Sequence, residues 1–228
     1  MKRKNMISMV TSLALVGAVA VGGTLALLTS NTDTVTNTFA IGNGYGENAL
    51  TLDEGKVAQV TSGTTNFGGY EFIDEGETRV EGWAYDKLVA DTTLDKDPTF
   101  HLAAESPNSW IIAKVVGVDA LKQKNITING KLPADYDWLK LDTATGTATP
   151  IDSYADLVDG YYVTAATVAA GQSPDALFTE LKVGSNVVRE TLPNIVVSGV
   201  AVESVTGTWA QDGAAVVAQA KTAGFIAG

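Results

Sequence analysis

Cysteine is absent from the 228 residues. Disulfides, thiolate nucleophiles and Cys-ligated zinc are therefore all excluded. Histidine occurs once, as His101. The His-Glu-x-x-His zinc motif needs a pair of histidines on one helix, so a metalloprotease of that type is excluded too. A Ser-His-Asp triad would have to use the same His101, and no Gly-x-Ser-x-Gly elbow occurs in the chain. His101 stands in "PTFHLAAE" between Phe100 and Leu102, which reads as a surface or half-buried strand position. Charge is sparse at 18% of residues, and 15 basic residues face 26 acidic ones. The resulting net charge of −11 repels phosphate backbones and anionic headgroups, which argues against a nucleic-acid partner.

Residues 7–28 carry no charge at all, and Lys2, Arg3 and Lys4 stand just before them. A basic stretch followed by an apolar run is the pattern of a secretory signal. Small residues Gly22, Gly23, Thr24 and Ala26 close the run, and "TLA" at 24–26 is a small-x-small cleavage site. Cleavage is expected after Ala26, with Leu27 as the first mature residue and no membrane attachment afterwards. A retained transmembrane anchor is the alternative, since the apolar run is long enough to span. A type IV pilin fits less well, because no acid lies between residues 5 and 32. Once the signal is removed, 12 basic residues remain against 26 acidic ones, a net charge of −14. The expected organisation is a signal over 1–26, a polar N-terminal segment over 27–48 and one domain over 49–228.

The domain is rich in Gly, Val and Thr, which favours strands and turns. "WIIAKVVGV" (110–118) is a nearly continuous apolar run, suited to the centre of a sheet. Strands are also expected at 49–62, 68–86, around Phe100-His101-Leu102, at "NITIN" (125–129), at "DYDWLKLD" (135–142), at 159–172 and over "NIVVSGVAVESVTGTWA" (194–210). Phe39-Ala40-Ile41 reads as a further short strand before the Gly42-Asn43-Gly44 turn. "SPDALFTELKV" (173–183) predicts a short helix, with Ser173 as cap and Pro174 in the first turn. The Ala-rich stretch 212–225 predicts a second helix. Recurrent turns and few helices imply an all-β, two-sheet sandwich of the jelly-roll kind with a few short helices.

The residues that could carry chemistry have simpler roles. Asp135/Asp137 and Asp74/Glu75/Glu77 read as solvated faces rather than a glycosidase pair. Asp91, Asp95 and Asp97 are oxygen donors that could hold Ca²⁺, but EF-hand spacing is missing. No resident metal or cofactor is expected. Trp83, Trp110, Trp138 and Trp209 read as core or interface anchors. "LPNIV" (192–196) lacks the Thr of a Leu-Pro-x-Thr-Gly sorting signal, so covalent wall anchoring is not expected.

Four stretches, in order, carry a resemblance: "VGGTLALLTSNTDTVTNTFAIG", "LDKDPTF" ahead of "SWIIAKV", "DGYYVTAATVAAGQSPDALFTELKV" and "SGVAVESVTGTW". Together they resemble the TasA/camelysin family of exported proteins of Gram-positive bacteria. The resemblance implies release by a dedicated signal peptidase, a jelly-roll domain, and assembly into extracellular fibres of a biofilm matrix. In fibre-forming relatives, the N-terminal segment of one subunit completes the sheet of the next by donor-strand complementation. Carried over by position, the donor spans about residues 27–41, with Leu27, Leu28, Val35, Phe39 and Ile41 as its apolar residues. The implied partners are copies of the same chain and a related minor subunit. The expectation is a secreted structural protein of the extracellular matrix or cell surface, not an enzyme. A monomeric or membrane-anchored adhesin-like module is one alternative, and a camelysin-like protease is another.

Overall fold

The computed structural model describes residues 29–31, 45, 48–85, 88–187 and 192–227. Its strands are β1 (Thr29–Asn31), β2 (Leu50–Gly55), β3 (Val57–Gln59), β4 (Tyr70–Phe72), β5 (Arg79–Val80), β6 (Thr93–Asp95) and β7 (Thr99–Leu102). There follow β8 (Ser109–Val116), β9 (Ile126–Asn129), β10 (Trp138–Asp142), β11 (Thr147–Pro150), β12 (Gly160–Thr164), β13 (Glu180–Val183) and β14 (Val196–Glu203). The helices are α1 (Val118–Lys122) and α2 (Trp209–Thr222).

The strands form three sheets. The largest runs β1-β14-β8-β12-β10-β11, the second β3-β4-β6-β13-β9, and the third β5-β2-β7. The chain is all-β in class, and its main sheet is buried on both faces. Side chains alternate along a strand, so β8 serves two cores at once. Ile111, Ala113 and Val115 face the two smaller sheets and belong to one core with Phe100, Leu94 and Leu181. Trp110 and Ile112 face the other way, onto Val216, Val217 and Ala220 of α2. Burial on both sides is why this stretch reads as an apolar run broken only at Lys114.

β14 pairs with all of β8, from Val196↔Val116 to Glu203↔Ser109. Its Gly199 is where Phe100 crosses; a Cβ there would stand 2.3 Å from the ring. Gly117 has φ 101° and ends β8 in a tight turn. A Cβ at Gly117 would lie 2.0 Å from the Asn194 carbonyl oxygen, so the segment entering β14 runs directly over this turn.

The helix expected over 173–183 is corrected. Residues 173–179 are irregular and Glu180–Val183 is strand β13, paired with both β6 and β9. Leu181 and Val183 point inward while Glu180 and Lys182 are only half-buried, a strand alternation. Leu177 and Phe178 are buried without a helix to carry them. Ser173 does not cap; its hydroxyl hydrogen-bonds His101. Two strand partners satisfied the backbone better than one helical turn could. Ahead of β7, Thr93–Asp95 forms a further short strand, β6.

Candidate functional site

A groove of about 1410 Å³ opens over the second sheet, at the end where β14 begins. Leu94 of β6, Leu121 of α1, Ile126 of β9 and Leu181 of β13 give it an apolar floor. Leu192, Ile195 and Val197 form the wall on the β14 side. Its volume exceeds that of most small-molecule sites, which run to roughly 1,000 Å³.

Polar groups sit in this apolar setting. Glu54 at the end of β2 is 5% exposed and forms an ion pair with Lys96, which is also nearly buried. The Lys96 ammonium lies 5.8 Å from the centre of the Tyr85 ring. Burial pushes the Tyr85 phenol well above its usual range, helped by the nearby Glu54 and Asp95 carboxylates. It therefore stays a neutral donor, to the Asp95 carbonyl at 2.9 Å. Two buried polar atoms on the groove's residues have no hydrogen-bond partner among the described residues: Glu54 Oε1 and Trp83 Nε1. One is an acceptor and the other a donor, and each costs about 1–3 kcal/mol while unmet.

The described part of the N-terminal segment pairs with the far half of β14, at Val200–Val202, beyond the groove-lining Val196 and Val197. β1 lies antiparallel on β14, with Thr29↔Val202, Ser30↔Ala201 and Asn31↔Val200. Val196, at the groove end of β14, is 55% exposed, and its partner Val116 is 43% exposed. Farther along the chain, Tyr45 is buried and its hydroxyl meets Ser109 Oγ at 2.7 Å. The cleavage residues Thr24, Ala26 and Leu27, and the donor residues Leu28, Val35, Phe39 and Ile41, lie outside the described residues.

The three acids weighed for Ca²⁺ do not converge. Asp95 Oδ2 accepts the Phe72 N–H at 3.0 Å, and burial raises its pKa. Asp97 accepts the Gly55 N–H at 2.6 Å and pairs with Arg79. Asp91 offers its carbonyl, not its carboxylate, to Lys182 Nζ at 2.6 Å. Among the described residues no group of three or more His, Asp or Glu could hold a metal ion.

His101 is part of a constellation that the sequence did not suggest. Its Nδ1 lies 2.7 Å from Ser173 Oγ and its Nε2 lies 2.9 Å from Asp53 Oδ1. The residue types are those of a hydrolytic triad, but the ring nitrogens are exchanged, since in the triad Nε2 faces the serine and Nδ1 the aspartate. Two further features weaken it chemically. Asp53 Oδ1 also accepts from Arg79 Nε at 2.7 Å, so its charge is already engaged. Pro174 follows Ser173 and supplies no N–H for an oxyanion. Nothing in the local sequence around any of the three residues signals the cluster, because it joins β2, β7 and a loop 72 residues beyond His101.

No helix among the described residues is long and apolar enough to cross a membrane. Comparison of the chain with family models, with curated proteins and with solved structures gave no match.

Proposed function

We propose that this protein is a secreted structural subunit that builds extracellular filaments, of the biofilm-matrix kind, by donor-strand complementation. The observation that carries the proposal is β1: part of the N-terminal segment stands as a separate strand on the edge of β14, whose other end walls an open apolar groove. An extended segment added to a sheet edge gains backbone hydrogen bonds, and its alternate side chains give specificity. In a free subunit the strand lies on its own β14. In a filament the same strand comes from a neighbour, so exchange of an identical element needs no new kind of contact. Signal peptidase cleavage after Ala26 frees the segment, and the domain takes the jelly-roll form of the sandwich. The partners are further copies of the chain and a related minor subunit, in the matrix or at the cell surface.

Electron microscopy tests this directly. Protein beginning at Leu27 is expected to form filaments, and protein trimmed to Asn43 is expected to stay monomeric. Monomers from both forms would contradict the proposal.

The Ser173–His101–Asp53 chain favours a hydrolase as the second reading. With the aspartate tied to Arg79, we expect no cleavage of casein by the purified protein, with or without chelator. Cleavage that is lost in Ser173→Ala would reverse the order of the two readings.

A further inference from the structure

We infer that Asn129 is a site of spontaneous deamidation, which turns the amide cap of a row of acids into one more carboxylate. Asn129 ends β9 and Gly130 follows it, and both residues are exposed. Gly130 takes φ 100°, and glycine sets no Cβ in the way of its own nitrogen. Among the described residues the Gly130 N–H has no hydrogen-bond acceptor. Hydroxide can therefore take its proton, and the nitrogen then bonds to Asn129 Cγ. The Cγ–Nδ2 bond breaks, and the amide nitrogen leaves as ammonia after taking a proton from water. A second water opens the cyclic imide at either carbonyl, leaving aspartate or isoaspartate at this position. The sum is one water consumed and one ammonia released.

Little holds the amide back. Asn129 Nδ2 donates to Glu180 Oε1 at 2.5 Å, in an exposed position where water competes for both groups. Asn66 is a useful contrast. Its amide donates to the Thr93 carbonyl and to Glu71 and also accepts the Thr93 N–H, and bulky Phe67 follows it.

The register gives the change its consequence. Glu180 stands opposite Asn129 on one side and opposite Asp95 on the other. β4 runs parallel to β6 with Tyr70 beside Leu94, which sets Glu71 beside Asp95. Tyr70, Leu94 and Leu181 point into the core, so Glu71, Asp95 and Glu180 share the outer face as a row of three carboxylates. Lys182 shares that face of β13 but donates to the Asp91 carbonyl. Asn66 caps the Glu71 end of the row and Asn129 the Glu180 end, each through an amide N–H. Like charges directly opposite on neighbouring strands repel. Deamidation removes a donor from Glu180 and sets a new carboxylate against it, on β9 at the edge of the second sheet.

Peptide mapping by mass spectrometry tests the site in protein beginning at Leu27 and held at pH 8. Asn129 is expected to give two products, about tenfold faster than Asn125, Asn186 and Asn194, which all precede stiff β-branched residues. Conversion no faster than theirs overturns the assignment. Asn129→Asp carries the charge of the product, and Asn129→Ala loses the donor without adding charge. In urea, Asn129→Asp should unfold earliest at about 0.01 M salt, and the gap to Asn129→Ala should close near about 1 M. Equal midpoints for Asn129→Asp and the parent at low salt overturn the role of the cap. Equal midpoints for the two variants at low salt overturn the role of the added charge.

Discussion

Asp212 has a structural task that its type and exposure make unusual. It is buried in the first turn of α2 and accepts from Trp110 Nε1 at 2.9 Å, Ser204 Oγ at 2.7 Å and Thr206 Oγ1 at 2.8 Å. Burial alone would raise its pKa, but these donors outweigh burial and hold the carboxyl well below the usual range. Its charge also suits the positive end of the helix. A depressed folded-state pKa contributes stability that is present above the unfolded value near ~3.9 and lost as pH falls below it. Asp212→Asn should therefore melt lower than the parent at pH 7, with the gap narrowing toward pH 3 in thermal scans. Asp212→Ala leaves the Trp110 indole N–H buried without an acceptor and should cost about 3 kcal/mol in urea unfolding. A loss that is the same at both pH values would mean the carboxylate's charge plays no part.

At the scale of elements, β14 joins the pieces: it pairs with β8, carries β1 and walls the groove. Gly199→Ala places a methyl against the buried Phe100 ring, and overpacking of this kind costs about 1–3 kcal/mol. Urea unfolding should show that loss, and Gly199→Ala with Phe100→Leu should recover part of it. The strands β8, β10 and β14 and the helix α2 were legible because each carries its own period in a long enough run. β13 was misread because Leu177, Phe178 and Leu181 satisfy a helical spacing, while the strand signal is confined to Glu180–Val183. β11 and α1 escaped notice because Thr147–Pro150 has no apolar alternation and Val118–Lys122 is a single turn. The groove was not legible at all. Its residues come from β2, β6, β9, β13 and the approach to β14, and only the packing of the sheets brings them together. The N-terminal segment was recognised as a candidate strand, but its register could only be read from β1 against β14.

At the scale of the whole molecule, the proposed filament would have to assemble against the chain's own charge. With the signal removed each subunit carries −14. Like-charged subunits repel over about 30 Å at 0.01 M salt and about 8 Å at 0.15 M. Filament growth followed by light scattering should therefore speed up across that range, and growth that slows would point to ion pairs as the main force instead. In the proposed filament cohesion would come from backbone pairing at β14 and from apolar burial, neither of which salt weakens. The most direct measurement is competition by a peptide of residues 27–41 added in excess to protein beginning at Leu27. The peptide should occupy the groove of each growing end, and electron micrographs should show filaments that shorten as its concentration rises. Filaments of unchanged length at saturating peptide would contradict the assignment of this segment as the joining strand.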